Sequence, residues 1–267
     1  MIRGRDLGIK YQSVAHGLDS FVVKPIDYTT TKAYKLFVKA DALRLANHFK
    51  ESIKHYLNAI LIDRTNYRAY FGLGVSYKSV ARYDKAIAAL EKARELSFFT
   101  ADVHYELGLC YLFSARFCEA IKCFHHTISL DRNNLNAQLQ LGVAHEFIEE
   151  PEMALMIYHT IIENHPEFLS AYNHLSALYM NTGEFKAAGN VFSQILKVNP
   201  NFHKAYLGLA ICFDKMSNKS RAIHYYKAFL DKKPHSHHNE KIRKRIEKLK
   251  TQVCESVKKQ NSAFAVV

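Results

Sequence analysis

The chain contains 267 residues with a formal net charge of +12, and 48% of them are hydrophobic, which excludes a wholly disordered chain. The positive charge favours an acidic partner such as nucleic acid, anionic lipid or an acidic protein. Its excess is concentrated near the end, because residues 231–260 contain ten basic and four acidic side chains. Apolar residues recur at helical spacing without strand-like alternation, so the sequence predicts an all-α fold.

Several familiar kinds of site have no support in the sequence. The five cysteines form no CxxC pair and fit reduced thiols, which favours a cytoplasmic location and argues against a zinc site. No run of about 18 apolar residues is present that could span a membrane. Glycine-rich phosphate loops, nucleophile elbows and HExxH motifs are also absent, so we expect neither an enzyme nor a cofactor.

Residues 1–32 form a non-repeat extension ahead of the first helical pattern. They include the apolar residues Leu18, Phe21, Val22, Val23 and Ile26, which show no helical period. We therefore expect this extension either to be partly disordered or to fold into a groove formed by the rest of the chain.

From residue 33 to residue 236, one pattern returns six times at an interval of 34 residues, without insertion or deletion. If residue 33 is position 1, position 8 is always small: Ala40, Gly74, Gly108, Gly142, Ser176 and Ala210. Position 20 is also small: Ser52, Ala86, Ala120, Ala154, Ala188 and Ala222. Position 24 is always large: Tyr56, Leu90, Phe124, Tyr158, Phe192 and Tyr226. Small residues let helices approach and large ones fill the gaps, which predicts a stack of helix pairs, each with a helix A and a helix B.

This spacing resembles the tetratricopeptide repeat, a helix-turn-helix unit with a period of about 34 residues. The predicted repeats are 33–66, 67–100, 101–134, 135–168, 169–202 and 203–236, within a repeat region at 33–238. Position 4 never holds tryptophan, and position 32 lacks proline in the first three repeats, which weakens single repeats but not the pattern. The resemblance implies a right-handed α-solenoid in which each helix A lines a concave groove that binds a protein or peptide.

After the repeats, residues 239–260 are predicted to form a basic capping helix, followed by a tail at 261–267. Its apolar stripe runs through Ile242, Ile246 and Leu249 and would cover the exposed end of the last repeat. The same helix carries basic residues that could bind an anionic partner: Lys241, Arg243, Lys244, Arg245 and Lys248. A solvated outer face is the simpler interpretation of this run.

The resemblance places about positions 2, 5, 9, 12 and 13 of helix A on the concave groove, and positions 5, 9 and 13 are mostly apolar although they would face solvent. In the first four repeats they supply the predicted contact residues Phe37, Phe71, Val75, Tyr105, Leu109, Phe113, Leu139, Val143 and Phe147. These side chains either bind an apolar or amphipathic segment or pack against neighbouring helices, and both interpretations remain open.

The resemblance also bears on the kind of partner. Family members that bind the tails of heat-shock chaperones hold a carboxylate with lysine and asparagine at positions 5 and 9, a set that no repeat carries here. We therefore expect a non-catalytic scaffold or adaptor with an assembly or chaperone-like role. The alternative is an accessory protein that binds nucleic acid or an anionic membrane through the basic helix, and a further one is self-association as a homodimer.

Overall fold

The computed structural model describes residues 31–235 and 239–264, with side chains as far as residue 255. The predicted extension lies outside the described residues, apart from Thr31 and Lys32. The described residues form thirteen α-helices and no strand, which confirms the predicted all-α class. In chain order the helices are α1 (Lys32–Leu45), α2 (Phe49–Ile62), α3 (Tyr67–Ser79), α4 (Tyr83–Leu96), α5 (Ala101–Phe113), α6 (Phe117–Leu130), α7 (Leu135–Phe147), α8 (Pro151–Asn164), α9 (Leu169–Asn181), α10 (Phe185–Val198), α11 (His203–Lys215), α12 (Lys219–Lys232) and α13 (Asn239–Phe264). None of these helices is long and apolar enough to cross a membrane.

The chain divides into two compact units, Met1–Ala137 and Gln138–Val267, and the boundary falls within α7. In the first unit, α1 pairs with α2, α3 with α4 and α5 with α6, while α2 contacts α3 and α4 contacts α5. In the second unit, α8 contacts α9, α9 pairs with α10, α11 pairs with α12, and α13 packs on α12. Within each unit, helices that follow one another in the chain are therefore neighbours in space.

The turn from helix A to helix B contains a left-handed residue in every repeat. Its φ lies between 57° and 80° at position 15, which holds Asn47, Ala81, Ala115, Glu149, Gly183 and Ser217. The next amide then donates back into helix A, as from His48 N to Leu43 O at 2.8 Å, and closes the helix end. Five of the six residues are not glycine, so helix packing outweighs the cost of about 1–2 kcal/mol that a β-carbon adds to this conformation.

Polar side chains begin several of the helices A. Thr31 Oγ1 accepts from the Tyr34 amide at 3.1 Å, and Asn66 Oδ1 accepts from the Ala69 amide at 3.2 Å. These contacts satisfy amides that have no partner within the helix. Helix α8 begins instead with Pro151, whose missing amide costs nothing at the first position of a helix.

Helices cross where the repeats carry their smallest residues. All six residues at position 20 are 0% exposed. At position 8, a β-carbon added to Gly108 would lie 2.6 Å from Cε1 of Phe124, at position 24 of the same repeat. A β-carbon on Gly74 would lie 2.5 Å from Cγ of Leu90 in the same way. The small and large residues recognised in the sequence therefore meet within one helix pair.

In the third and sixth repeats, position 4 of helix A holds a polar aromatic residue that secures the loop before it. His104 is 1% exposed, and its Nε2 lies 2.7 Å from the carbonyl oxygen of Phe98. Tyr206 donates to the carbonyl of Pro200, at the equivalent place, over 3.0 Å. Because a carbonyl only accepts, His104 Nε2 must carry the proton, and Nδ1 is buried without a hydrogen-bond partner.

The variant His104→Tyr should be destabilised less by acid than the unaltered protein. Burial is the main cause that lowers the pKa of His104, with His126 and Arg94 adding to it, although the bond to Phe98 opposes the shift. The unfolded chain, with a histidine pKa of about 6.5, therefore takes up this proton first, so acidification below that value favours unfolding. His104→Tyr keeps a donor for Phe98 and does not titrate. Urea unfolding at pH 7.5 and 5.5 should show a smaller pH effect in the variant, and an equal effect in both proteins would contradict the assignment.

Candidate functional site

A pocket of about 250 Å³ lies in the first unit and is lined by residues of three successive repeats. Its walls come from α1, α3 and the start of α5: Phe37, Asp41, Arg44, Tyr67, Arg68, Phe71, Thr100 and Asp102. The three residues of α1 are four and three positions apart, so they share one face of the helix. The pocket is therefore built by residues on or beside the helices A of the first three repeats.

A polar network fixes one side of this pocket. Arg44 donates to Asp41 Oδ1 from Nε at 3.0 Å and from Nη2 at 2.6 Å. The hydroxyl of Tyr56 donates to the same carboxylate oxygen at 2.8 Å. Burial, and then the bond to Asp41, raise the pKa of Tyr56 well above its usual range, so the hydroxyl remains a donor. Asp41 and Arg44 are thereby held in one arrangement before any partner arrives.

Aromatic rings form the rest of the wall. Phe37 lies 6.3 Å from the ring of Tyr56, measured between centroids, and both Phe37 and Phe71 are half-buried. The guanidinium of Arg68 lies 5.8 Å from the centre of the Tyr67 ring, and its Nε donates to the Tyr67 hydroxyl at 3.3 Å. With two arginines and two aspartates in the lining, the pocket combines an apolar wall with a polar rim of balanced formal charge.

The structure brings only two of the predicted groove residues, Phe37 and Phe71, into the pocket. Other predicted residues of the first unit are half-buried, namely Val75, Tyr105 and Leu109. Phe113 is 55% exposed, and its ring centroid lies 5.7 Å from that of Tyr83. Their role in binding stays a prediction.

The other predicted groove residues belong to the second unit. Val143 is half-buried and Phe147 is 57% exposed, so both keep surface for a partner. Leu139 is only 5% exposed, and its burial leaves too little surface for the contact predicted for it. We therefore omit Leu139 from the candidate site.

The charged residues of the pocket were not selected from the sequence. Position 9 is apolar in five repeats and holds Asp41 in the first, and position 2 holds Arg68 and Asp102 in the next two. The signal that could have found Asp41 was its departure from the five other repeats. A polar side chain at an otherwise apolar position of helix A lies on the same face as its apolar counterparts, because the repeat position fixes the face.

One of the predicted basic residues of helix α13 has a clear structural role. Arg245 donates from Nε and Nη2 to the two carboxylate oxygens of Asp214 in α11, each at 2.7 Å, and Tyr226 donates to the same carboxylate at 3.1 Å. The carboxylate thus binds α13 to the last helix pair, which corrects the role predicted for Arg245 as a residue free to bind an anionic partner. Lys241, Arg243, Lys244 and Lys248 are exposed, and Lys244 pairs with Glu240 at 2.7 Å. Binding of an anionic partner by these four residues stays a prediction.

The helix pairs, their 34-residue interval and the small residues at their crossings define a tetratricopeptide-repeat protein, as the sequence predicted. Solved structures agree, all at identities that show the fold alone. The tetratricopeptide-repeat protein YrrB, described with an unusual peptide-binding site, is 20% identical, with a TM-score of 0.54 over 71% of this chain and 97% of that one. The type IV pilus biogenesis factor PilW is 16% identical, with a TM-score of 0.64 over 79% and 97%. A repeat protein from Cytophaga hutchinsonii is 19% identical, with a TM-score of 0.67 over 73% and 78%.

Comparison of the sequence with a family model shows the family of this chain. The model of the family of intraflagellar transport protein 56 matches residues 71–263, which is most of the chain, and the chain belongs to that family. No curated protein sequence matches it.

Proposed function

We propose that this protein is a non-catalytic adaptor that holds an apolar or amphipathic segment of a partner protein against the helices A of its first unit. The family suggests that such a partner takes part in intraflagellar transport. The observation that carries the proposal is the pocket between Phe37 and Phe71, where two residues chosen for their repeat position line one cavity.

The size of the pocket favours one anchoring side chain. About 250 Å³ is below the range of roughly 300–1,000 Å³ that is usual for small-molecule and cofactor sites. The aromatic wall suits an apolar side chain, whose burial contributes about 1.5–3 kcal/mol. The carboxylates and guanidinium groups at the rim can hydrogen-bond the main chain on either side of that anchor.

The balanced charge of the rim predicts how binding should respond to salt. Two arginines and two aspartates provide no net field, so added salt should change the affinity little. A partner bound through the basic helix would instead dissociate steeply as salt rises. The salt dependence of binding therefore separates this proposal from the alternative suggested by the charge of the chain.

The test is made with Phe71→Glu and a control. Short peptides displayed on phage are selected against the full chain, then labelled and measured by fluorescence anisotropy. Phe71→Glu should weaken binding by about tenfold or more, because it places a carboxylate within an aromatic wall. Phe99→Glu makes the same change at a residue of the first unit that is 84% exposed and outside the pocket, and it should bind as the unaltered protein does. Equal affinities in both variants, with helical content preserved, would contradict the proposal.

A further inference from the structure

The sixth repeat carries lysine at three positions where no other repeat has one. These are Lys204 at position 2, Lys232 at position 30 and Lys233 at position 31, and all three are exposed. In the other five repeats the same positions hold Tyr34, Arg68, Asp102, Asn136 and Ser170, then Ile62, Leu96, Leu130, Asn164 and Val198, then Asp63, Ser97, Asp131, His165 and Asn199. The repeat pattern therefore does not account for these lysines.

Contacts with α11 and the loop before it bring the three lysines together. Lys233 donates from Nζ to His203 Nε2 over 3.3 Å, and Lys232 donates to Asn201 Oδ1 over 3.0 Å. Burial, then Lys233 and Lys204, lower the pKa of His203, so both ammonium groups lie near one ring. We call Lys204, Lys232 and Lys233 the lysine corner, which lies where the start of α11 meets the end of α12.

Lys233 stands where other repeats have a hydrogen-bond acceptor. At position 31 of three repeats, a side-chain oxygen accepts from the amide two residues later, in Asp63, Asp131 and Asn199 at 2.9, 3.1 and 3.1 Å. A lysine side chain has no acceptor, so the sixth repeat cannot form this bond. Asn239 of α13 holds the loop instead, because its Nδ2 donates to the carbonyl oxygen of Lys233 over 2.9 Å. The sixth repeat thus has a cation in place of a common turn contact.

No carboxylate pairs with the lysine corner among the residues that the structure describes. Glu240, at the start of α13, pairs with Lys244 of its own helix at 2.7 Å. Like charges that are held close together repel one another, and a ligand with several negative charges relieves this repulsion. Opposite charges also speed the approach of such a ligand. The lysine corner therefore suits a polyanion.

Two kinds of polyanion fit the lysine corner less well than a protein segment. Proteins that bind single-stranded nucleic acid combine basic grooves with aromatic rings on which bases stack. Here Tyr206 is half-buried, with Lys232 Nζ 5.4 Å from its ring centre, and Phe229 is 3% exposed. Surfaces that bind anionic membranes combine basic residues with exposed apolar side chains that insert. Within the described stretch 199–235, the only large apolar side chain that is exposed is Met216, at the other end of α11.

We propose that the lysine corner binds an acidic segment of a partner protein, in which several aspartates or glutamates follow one another. Each ammonium group has three donors, so the corner can hold several carboxylates at once. Lys241, exposed two residues after Asn239, continues the basic sequence onto α13. The site lies in the second unit and goes beyond the proposed function, because it does not depend on Phe71.

The direct test uses the full chain and a fluorescein-labelled peptide of eight glutamates. Lys204→Glu with Lys233→Glu should weaken its binding by about tenfold or more in fluorescence anisotropy at low salt, since two attractions become repulsions. The control, Lys215→Glu with Lys227→Glu, changes two exposed lysines of the same helices and alters the net charge equally. It should weaken binding less than about threefold, because salt and solvent screen distant charges. An equal loss in both variants, or no binding to the unaltered protein, would overturn the proposal.

Competition identifies the class of ligand. Unlabelled octaglutamate should displace the labelled peptide at a lower concentration of charge than an oligothymidylate of eight nucleotides or vesicles that contain phosphatidylserine. Stronger competition by either would assign the lysine corner to nucleic acid or to a membrane and overturn the proposal. Peptides selected for the pocket should bind the variant with Lys204→Glu and Lys233→Glu unchanged, so failure here is distinct from failure of the proposed function.

Acetylation of lysines supplies a second measurement that needs no variant. With octaglutamate at about ten times its Kd, acetylation of Lys204, Lys232 and Lys233 should slow by about fivefold or more, since roughly one chain in ten is free. Mass spectrometry measures the rates, and the rate at Lys227 should not change. Protection confined to lysines elsewhere in the chain would place the peptide at another site and overturn the proposal.

Discussion

Replacing Gly108 by leucine should lower the free energy of unfolding by about 3 kcal/mol. Even a β-carbon at this position would lie 2.6 to 3.0 Å from three atoms of the Phe124 ring. The ring cannot withdraw, because Phe124 is 0% exposed and its centroid lies 6.1 Å from that of Tyr105. Forcing additional carbons into a closed contact costs roughly 1–3 kcal/mol or more. Urea unfolding followed by circular dichroism measures the loss.

The matched control is another buried helical glycine, Gly189 in α10. A β-carbon there would meet only Cys212 at 3.8 Å and Leu209 at 4.0 Å, which are ordinary contacts. Gly189→Ala should therefore raise stability by about 1 kcal/mol through the better helix propensity of alanine. If both variants destabilise alike, the loss at Gly108 would not come from its contact with Phe124.

These two glycines show how far the repeat pattern predicts the fold. Position 8 never holds a residue larger than serine, so the requirement at Gly108 can be read from the sequence. Position 21, which holds Gly189, carries isoleucine or leucine in the other five repeats, so the pattern alone shows no reason for this glycine. The space around one side chain depends on the distance between two particular helices, and the repeat pattern does not specify that distance.

The candidate site was predictable to a similar extent. Its aromatic wall at Phe37 and Phe71 follows from position 5 of helix A, because the period fixes which residues face one side. Its polar rim could not be derived in this way, since Asp41 depends on Arg44 in its own helix and on Tyr56 in the next. Hydrogen bonds between helices are set by distances of a few ångströms, whereas the repeat specifies only the face.

The basic helix illustrates the same limit. In the sequence, Lys244 and Arg245 are neighbours in one basic run and suggest one solvated surface. In the structure, Lys244 pairs with the exposed Glu240 of its own helix, whereas Arg245 reaches Asp214 in α11. Charge patterns in a sequence therefore do not distinguish a residue that holds a helix in place from one that faces water.

Arg245→Ala should destabilise the end of the second unit by about 1–2 kcal/mol, whereas Lys244→Ala should have almost no effect. The hydrogen bonds of Arg245 to a carboxylate are charge-assisted, and removing them leaves the largely buried Asp214 with Tyr226 as its remaining partner. The side chain of Arg245 is 40% exposed, so solvent screening keeps the loss moderate. Lys244 and Glu240 are 77% and 78% exposed, and such pairs contribute little. Exchange of amides in α12 and α13 measures both effects, and equal exchange in the two variants would contradict the role of Arg245.

The pH dependence of stability provides an independent test of the contact between Arg245 and Asp214. Burial tends to raise the pKa of Asp214, but the hydrogen bonds and charge of Arg245, with the Tyr226 hydroxyl, outweigh burial and lower the pKa. In the unfolded chain the pKa of an aspartate is about 3.9. A carboxylate whose pKa is lower in the folded protein stabilises the fold at pH values above about 3.9, and this stabilisation is lost as the pH falls through the pKa of the folded state. Without Arg245, weaker interactions would oppose the effect of burial, and the pKa of Asp214 in the folded protein would rise. The difference in stability between the unaltered protein and Arg245→Ala should therefore be largest near neutral pH and should shrink towards pH 3. A difference that stays constant with pH would show that packing of the arginine side chain, and not its ion pair, holds α13 in place.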